Sequence, residues 1–141
     1  ITTDSVHYGD EGWGGRNCNR FGVDKAGYAE AIAYEDSIID KCLDGDIAEQ
    51  KINALYRHLV DPNDFHKYKW TWCGRYSVPL GLLTSLYLAQ KLKEPIPQGT
   101  LLDYSTSIAH EPIPVSDLDG MGITAEDNLR HWVGPTAIGY L

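Results

Sequence analysis

Apolar side chains recur every three or four positions in two early segments of the chain. The first segment predicts a helix at about residues 25–43, with an apolar face made of Tyr28, Ile32, Ile39, Cys42 and Leu43. The second predicts a helix at about residues 47–60, with an apolar face made of Ile52, Leu55, Tyr56 and Leu59. Because only a few residues separate the two segments, we predict that they form an antiparallel helical hairpin.

Capping residues are found at the expected ends of these helices. Asp24 precedes the first helix and is suited to accept a hydrogen bond from its first turn. Gly45 supplies a stop that tolerates a positive φ. Asp46 is predicted to cap the second helix, with Glu49 as its capping-box partner. The acidic residues of the first helix are assigned to its solvent face: Glu35, Asp36 and Asp40.

The pattern changes to an alternation of period two at about residues 65–73. This segment is rich in aromatic residues and is predicted to be a strand. One face of the strand carries His66, Tyr68, Trp70 and Trp72, and the other carries Lys67, Lys69, Thr71 and Cys73. We therefore expect the aromatic face to pack on the core and Cys73 to lie beside the two lysines.

The second half of the chain predicts two more helices and another strand. A helix at about residues 79–93 has leucines around almost its whole circumference, so we expect it to be the central buried helix. A short strand follows at about residues 100–108. Thr124 and Asp127 favour a short C-terminal helix at about residues 124–133. The fold class expected from these elements is α+β, helix-dominated, in a single globular domain of residues 1–141.

The net charge and its distribution along the chain limit the kinds of partner that we expect the protein to bind. The 141-residue chain has a formal net charge of −8, which argues against general nucleic-acid binding because phosphate contacts need cations. One segment is locally basic, with Lys67, Lys69, Arg75, Lys91 and Lys93. These cations either face an anionic ligand or pair with the protein's own acids. No segment has the roughly 20 apolar residues needed to span a membrane.

Cysteine usage favours reduced thiols. The odd number of cysteines, Cys18, Cys42 and Cys73, includes no CxxC pair, so we expect a cytoplasmic setting; one disulfide plus a free thiol stays possible for an exported protein. Trp72-Cys73-Gly74 resembles the first three residues of the thioredoxin motif Trp-Cys-Gly-Pro-Cys. The second cysteine of that motif is missing, so dithiol redox chemistry is not expected.

A monothiol nucleophile at Cys73 is the enzymatic hypothesis. Cationic neighbours favour a thiolate, and a nucleophilic cysteine needs a base brought near by the fold. We predict His110 as that base, with Asp103 or Glu111 orienting it, and His131 is also available. The alternative is that Cys73 is a structural residue, as most cysteines are.

No metal or cofactor is predicted. His7, Asp10 and Glu11 are close in sequence, but the chain has no recognisable pattern of metal ligands. The abundance of Trp, Tyr, His and Gly instead favours a polar–aromatic pocket where the Gly-rich N-terminal loop meets residues 66–76 and 105–111. Its predicted ligand-binding residues are Lys67, Lys69, Arg75, Trp13 and Ser105.

Two classes of function follow from these observations. The first is a thiol-dependent hydrolase or transferase that acts on a small anionic substrate. The second is a non-catalytic acidic protein that binds a basic protein partner, such as an inhibitor, an immunity protein or a phage accessory protein. A third possibility is a non-catalytic sponge or carrier for a small anionic ligand, which would use the same lysines.

Overall fold

The described part of the protein has a mixed α+β fold with three helices. A computed structural model of the chain describes residues 1, 3–12, 18–111, 114–115, 122–123 and 127–141, with the backbone alone for 114–115 and 122–123. Helix α1 spans Lys25–Cys42, α2 spans Glu49–Leu59 and α3 spans Ser77–Leu92. Asp24 caps α1 as predicted, since its side chain accepts a hydrogen bond from the amide of Gly27 at 2.8 Å. Helices α1 and α2 have bounds close to the predicted ones, and they pack against each other.

The strands form four small antiparallel sheets in the described part of the chain. The largest joins β2 (Gly45–Asp46), β5 (Gln98–Tyr104) and β9 (Thr136–Tyr140), with β5 in the middle. Strand β1 (His7–Gly9) pairs with β8 (His131–Val133), and β3 (Val60–Asp61) pairs with β4 (Asp64–Tyr68). The fourth sheet pairs β6 (Pro114–Val115) with β7 (Gly122–Ile123). These elements confirm the mixed α+β class, whereas the predicted dominance of helix is not confirmed.

The core lies between α1, α2 and an aromatic cluster beside β1. Tyr8 of β1 is completely buried, stacks on Trp132 at 4.9 Å between ring centroids, and lies 5.9 Å from Trp70. The helices contribute Ile38, Ile39, Leu55 and Leu59 to the same cluster of buried residues. Because Tyr8 of β1 belongs to this cluster, strand β1 is anchored to the core.

The predicted capping box of α2 is wrong. Ala48 is the residue that precedes the helix, and no side chain caps it. Asp46 instead belongs to β2 and pairs with Gln98 of β5. The positive φ predicted for Gly45 is confirmed at 73°. The sheet pairing of residues 45–46 therefore delays the start of the helix beyond the residues that look like a cap.

The predicted strand at residues 65–73 is too long. Strand β4 ends at Tyr68, and the next buried residues, Trp70, Thr71 and Trp72, are consecutive rather than alternating. His66 is exposed, although it was assigned to the core face. The chain leaves the edge of the small β3–β4 sheet after Tyr68 and enters the core, where contacts on all sides remove the two-faced pattern.

Helix α3 is not the central buried helix. Its buried residues are Pro79, Leu82, Leu86 and Ala89, whereas Leu80 and Leu92 are 65% and 60% exposed. One side of α3 packs on α2, and the other presents leucines to solvent. No helix of the described residues is both long enough and apolar enough to cross a membrane.

The predicted C-terminal helix is also wrong. Residues 131–133 form strand β8, in register with β1 so that Trp132 pairs with Tyr8. The side chain of Asn128 accepts a hydrogen bond from the amide of Arg130, which makes a local turn before β8. Thr124, the predicted cap, lies outside the described residues. Pairing with a strand more than 120 residues away overrides the local helical signal.

Candidate functional site

The thiol of Cys73 lies beside the imidazole of His7. Their Sγ and Nε2 atoms are 3.0 Å apart, although the two residues are 66 positions apart in the sequence. His7 is the first residue of β1 and its side chain is 14% exposed, whereas Cys73 follows the buried Trp72 and is exposed. Cys73 is the cysteine that the sequence predicts as the nucleophile, but the histidine beside it is His7 rather than the predicted His110.

A carboxylate completes the cluster. Asp4 Oδ2 is 3.7 Å from the same imidazole nitrogen, His7 Nε2. One donor atom from each of Asp4, His7 and Cys73 lies within 4.8 Å of the other two. In the Ser-His-Asp arrangement, the carboxylate instead faces the ring nitrogen that is not in contact with the nucleophile. The thiol of Cys73 and the carboxylate of Asp4 therefore both lie beside the same imidazole nitrogen, Nε2 of His7.

The electrostatics keep the thiol and the imidazole uncharged at neutral pH. Burial lowers the pKa of His7 below its ordinary value, although the neighbouring Asp4 acts in the opposite direction. Burial also raises the pKa of the Cys73 thiol, and the negative charge of Asp4 adds to that rise. A neutral imidazole next to a protonated thiol is in the state required to accept the thiol proton.

Backbone contacts hold His7 and Cys73 together. Val6 and Trp72, the residues just before them, form an isolated antiparallel bridge. The amide of His7 donates a hydrogen bond to the carbonyl of Thr71 at 3.1 Å, and the Thr71 hydroxyl donates one back to the carbonyl of His7. The separation of the two side chains is therefore set by main-chain hydrogen bonds as well as by side-chain rotamers.

A buried carboxylate, Glu35 of α1, supports the same two segments. Its side chain is completely buried and accepts hydrogen bonds from the indole nitrogens of Trp70 and Trp72, the latter at 2.8 Å. Its second oxygen accepts a longer bond, at 3.4 Å, from the amide of Val6. Glu35 thus contacts the residue before His7 and the residue before Cys73. Burial raises the pKa of Glu35 to about 7.

Glu35 is the residue that the sequence analysis missed. It was assigned to the solvent face of the first helix, and the structure buries it. A signal was present, because Glu35 falls between Ile32 and Ile39 at the three- and four-residue spacing of the apolar face. A charged residue at a core position of an amphipathic helix indicates a buried polar contact.

The other predicted catalytic residues lie at a second place. Asp103, Ser105 and His110 line a cavity of about 290 Å³ that also includes Tyr28 and Thr106. His110 Nε2 is 3.1 Å from Ser105 Oγ, so the hydrogen-bond partner of this histidine is a hydroxyl rather than the Cys73 thiol. The structure therefore brings His110, Ser105 and Asp103 together, but it places Cys73 with different partners.

The predicted anion-binding residues have partners within the protein. Lys67 pairs with Asp64 at 3.8 Å, and the ammonium group of Lys69 donates to the carbonyl of Arg57 at 2.8 Å. The Arg75 guanidinium lies 3.6 Å from the ring centroid of Tyr68. Trp13, the remaining predicted ligand residue apart from Ser105, lies outside the described residues. Lys67 thus pairs with one of the protein's own acids, as one of the two sequence interpretations expects, whereas Lys69 and Arg75 contact a carbonyl and an aromatic ring.

The two acidic residues that follow His7 in the sequence are paired elsewhere. Asp10 and Glu11 hold the guanidinium of Arg130 at 2.8 and 3.0 Å. His131, the other histidine available as a base in the sequence prediction, lies in β8 opposite Gly9 of β1. Asp4, which no motif marked, is the acid that approaches the imidazole.

A larger apolar cavity of about 720 Å³ lies beside the first half of α3. Its lining includes Leu80, Leu82, Ile138 and Tyr140, and it contains neither Cys73 nor His7. The polar–aromatic pocket expected from the sequence therefore corresponds to neither of these two cavities.

Comparison with known proteins supplies no relative for this chain. No family model matches it, and neither a curated protein nor a solved structure resembles it significantly. Its function is therefore argued from the geometry of Asp4, His7 and Cys73.

Proposed function

We propose that the protein is a thiol-dependent hydrolase or transferase in which Cys73 is the nucleophile and His7 is the base. The observation that carries this proposal is the 3.0 Å contact between Cys73 Sγ and His7 Nε2. A nucleophilic cysteine needs a base within hydrogen-bond reach, and this imidazole meets that requirement. Exposure of Cys73 leaves room for a substrate to approach the sulfur.

The proposed reaction is transfer of an acyl group through the thiol. His7 Nε2 takes the thiol proton, and the resulting thiolate attacks the carbonyl carbon of an ester, thioester or amide. The leaving group departs with the proton returned by His7, and a thioester on Cys73 remains. Water then releases the acid in a hydrolase, whereas another nucleophile takes the acyl group in a transferase. Asp4 would stabilise the imidazolium formed in the first step.

The anionic substrate predicted from the sequence receives less support than the thiol chemistry. Lys67 and Lys69 already contact Asp64 and the carbonyl of Arg57. The carboxylate of Asp4, 3.7 Å from the base, adds a negative charge at the site itself. A neutral acyl group at the reacting carbon is therefore the substrate class that this charge arrangement favours.

Alkylation of the native protein tests the proposal. We expect iodoacetamide at neutral pH to label Cys73 faster than Cys18 or Cys42, because burial restricts the latter two. His7→Ala should slow the labelling of Cys73 by about tenfold or more, since it removes the base. His66→Ala, which removes an exposed histidine, is the matched control and should leave the rate unchanged.

Labelled sites and rates are measured by mass spectrometry of quenched samples. A rate at Cys73 that His7→Ala and His66→Ala affect equally would remove His7 as the base. If labelling of Cys73 depends on His7, the wild-type protein can then be screened against a set of activated esters and thioesters, with Cys73→Ser as the inactive reference.

The alternative of a non-catalytic binding protein is favoured by a separate observation. Helix α3 presents Leu80, Tyr87, Leu88 and Leu92 to solvent, each at least 49% exposed. Clustered apolar residues on a surface are typical of contact sites for other proteins. Capture of partners from the native host with the wild-type chain and with Leu88→Asp tests this. A partner lost only with the variant favours binding at α3, whereas identical captures oppose it.

A further inference from the structure

The cluster of Asp4, His7 and Cys73 has the donor set of a metal site. It offers a sulfur, a nitrogen and an oxygen atom, all within 4.8 Å of one another. In a tetrahedral zinc site, bonds of about 2.0–2.3 Å place neighbouring ligand atoms roughly 3.3–3.7 Å apart. The observed separations are 3.0 Å from sulfur to nitrogen and 3.7 Å from nitrogen to oxygen. Only small side-chain movements are needed to place one ion between the three atoms.

The position of His7 favours a metal site over a charge-relay triad. Both neighbours face Nε2 of the imidazole, at 3.0 Å for Cys73 and 3.7 Å for Asp4. In a triad, the base contacts the nucleophile with one ring nitrogen and the carboxylate with the other. An ion bound at Nε2 instead requires that the other ligands lie next to that same atom.

The scaffold around the cluster supports binding without refolding. His7 and Cys73 are held by the bridge between Val6 and Trp72 and by the hydrogen bonds with Thr71. The Asp4 side chain is 58% exposed, so it can turn toward an ion without disturbing the core. Because Cys73 is exposed, an ion can reach the cluster from solvent and a water molecule can complete the coordination of that ion.

We propose that Asp4, His7 and Cys73 bind one zinc ion per chain and that the bound ion blocks the thiol as a nucleophile. A thiolate, an imidazole and a carboxylate form a ligand set suited to zinc, whereas Mg²⁺ and Ca²⁺ prefer sites made entirely of oxygen atoms. On binding, the S–H bond breaks, a Zn–S bond forms and the proton goes to solvent, with no change of oxidation state. Binding stands on the geometry alone, and its inhibitory consequence rests on the proposed thiol chemistry.

Metal titration of the whole chain tests the site. We expect one equivalent of Zn²⁺ to bind, and Co²⁺ in its place to give the ultraviolet charge-transfer band of a cobalt–thiolate bond. Cys73→Ser should abolish that band. His7→Gln and Asp4→Asn should each weaken Zn²⁺ binding by about tenfold or more, since loss of even an outer-shell partner costs 10–100-fold. His66→Gln and Glu30→Gln are exposed controls and should change neither result.

The outcomes separate binding from the proposed function. Absence of one-to-one binding, or binding that none of the three variants weakens, overturns the metal site. Because Asp4 is exposed, Asp4→Asn is expected to fold even if another variant does not, and circular dichroism checks each protein.

Iodoacetamide labelling with and without Zn²⁺ then tests the consequence. Slower labelling of Cys73 in proportion to bound Zn²⁺ supports inhibition, and labelling that bound Zn²⁺ does not slow overturns it. If the metal-free thiol shows no dependence on His7, the proposed base fails while the metal site stands on its own titration.

Discussion

Among the described residues, the Cys73 thiol and the Ser105 hydroxyl each lie next to a histidine, and these two places are built differently. Cys73 and His7 are 3.0 Å apart and come from segments 66 residues apart in sequence. Ser105 and His110 are 3.1 Å apart but are separated by only five residues. The contact distances are nearly equal, so distance alone does not distinguish the two places.

The difference lies in what holds each pair. The segments that carry His7 and Cys73 are joined by main-chain hydrogen bonds and by the completely buried Glu35. Ser105 is anchored through its amide to the carbonyl of Pro135, but His110 is exposed and lies at the end of a local turn. Burying a carboxylate costs free energy that its hydrogen bonds only partly return. The His7–Cys73 pair is therefore supported by main-chain contacts between its two segments and by a buried side chain of α1.

Replacement of the buried carboxylate should have the largest effect. Glu35→Ala leaves the indole nitrogens of Trp70 and Trp72 without an acceptor and creates a cavity, so we expect a loss of about 4 kcal/mol in the free energy of unfolding. Glu30→Ala, on the exposed face of the same helix, should change it by less than about 0.5 kcal/mol. Urea unfolding measures both. Equal effects of the two substitutions would mean that Glu35 is not a support for the site.

The pH dependence of stability should be the next largest effect. The pKa of Glu35 is raised from 4.5 to about 7, so the folded state holds its proton more tightly than the unfolded state. The stability associated with this proton is fully present below about pH 4.5 and is lost as the pH rises through about 7. Between about pH 5 and about pH 8, the wild-type protein should therefore lose about 2–3 kcal/mol relative to Glu35→Gln.

Urea unfolding of the two proteins across this pH range isolates the Glu35 contribution from that of other groups. Burial is the main cause of the raised pKa of Glu35, and the nearby charge of Asp36 acts in the same direction. A constant difference between wild type and Glu35→Gln would show that Glu35 titrates normally. The buried carboxylate would then give the Cys73 site no special dependence on pH.

Removal of a single donor to Glu35 should have an intermediate effect. Trp72→Phe keeps an aromatic ring in the core but removes the indole N–H that donates to Glu35 at 2.8 Å. We expect a loss of about 1.5 kcal/mol in the free energy of unfolding, and slower iodoacetamide labelling of Cys73 because its neighbour is less well fixed. Trp132→Phe is a useful control, since that buried indole nitrogen has no hydrogen-bond partner among the described residues. A larger loss of labelling in the control would contradict a positioning role for the Glu35 contact.

Substitutions at the Ser105–His110 pair should have the smallest effect on stability and on the labelling of Cys73. His110→Ala removes an exposed side chain whose hydrogen bond with Ser105 is local, so we expect a stability change within about 0.5 kcal/mol and an unchanged rate of Cys73 labelling. Thermal unfolding and mass spectrometry measure the two quantities. A clear fall in Cys73 labelling would restore the pairing of Cys73 with His110 that the sequence analysis predicted.

Local signals in the sequence predicted the parts of the fold that depend on local contacts. The period of apolar residues in α1 and α2, the cap at Asp24 and the turn at Gly45 all involve residues a few positions apart. Predictions failed where a distant segment decides the structure. Residues 131–133 became a strand because β1 pairs with them, and the alternation after Tyr68 ended because the chain enters the core.

The residues of the candidate site also differ in whether local sequence signals could predict them. Cys73 was selected from its own neighbours in the sequence, as the cysteine of a Trp-Cys-Gly run. His7 and Asp4 carry no motif, and nothing in their spacing connects them to a residue near position 73. The sequence shows Glu35 as a charged residue at an apolar position of α1, but it does not indicate that Val6, Trp70 and Trp72 are its partners.

The sequence by itself therefore determined the α+β class, two of the helices and the cysteine worth testing. Helix periodicity, capping and turn chemistry act over a few residues, so they can be read directly from the order of side chains. The tertiary structure decided which histidine and which acid face that cysteine, and that a carboxylate lies beneath them. Those contacts depend on the packing of β1 against residues 70–72 across the aromatic core, and packing between distant segments has no local signature.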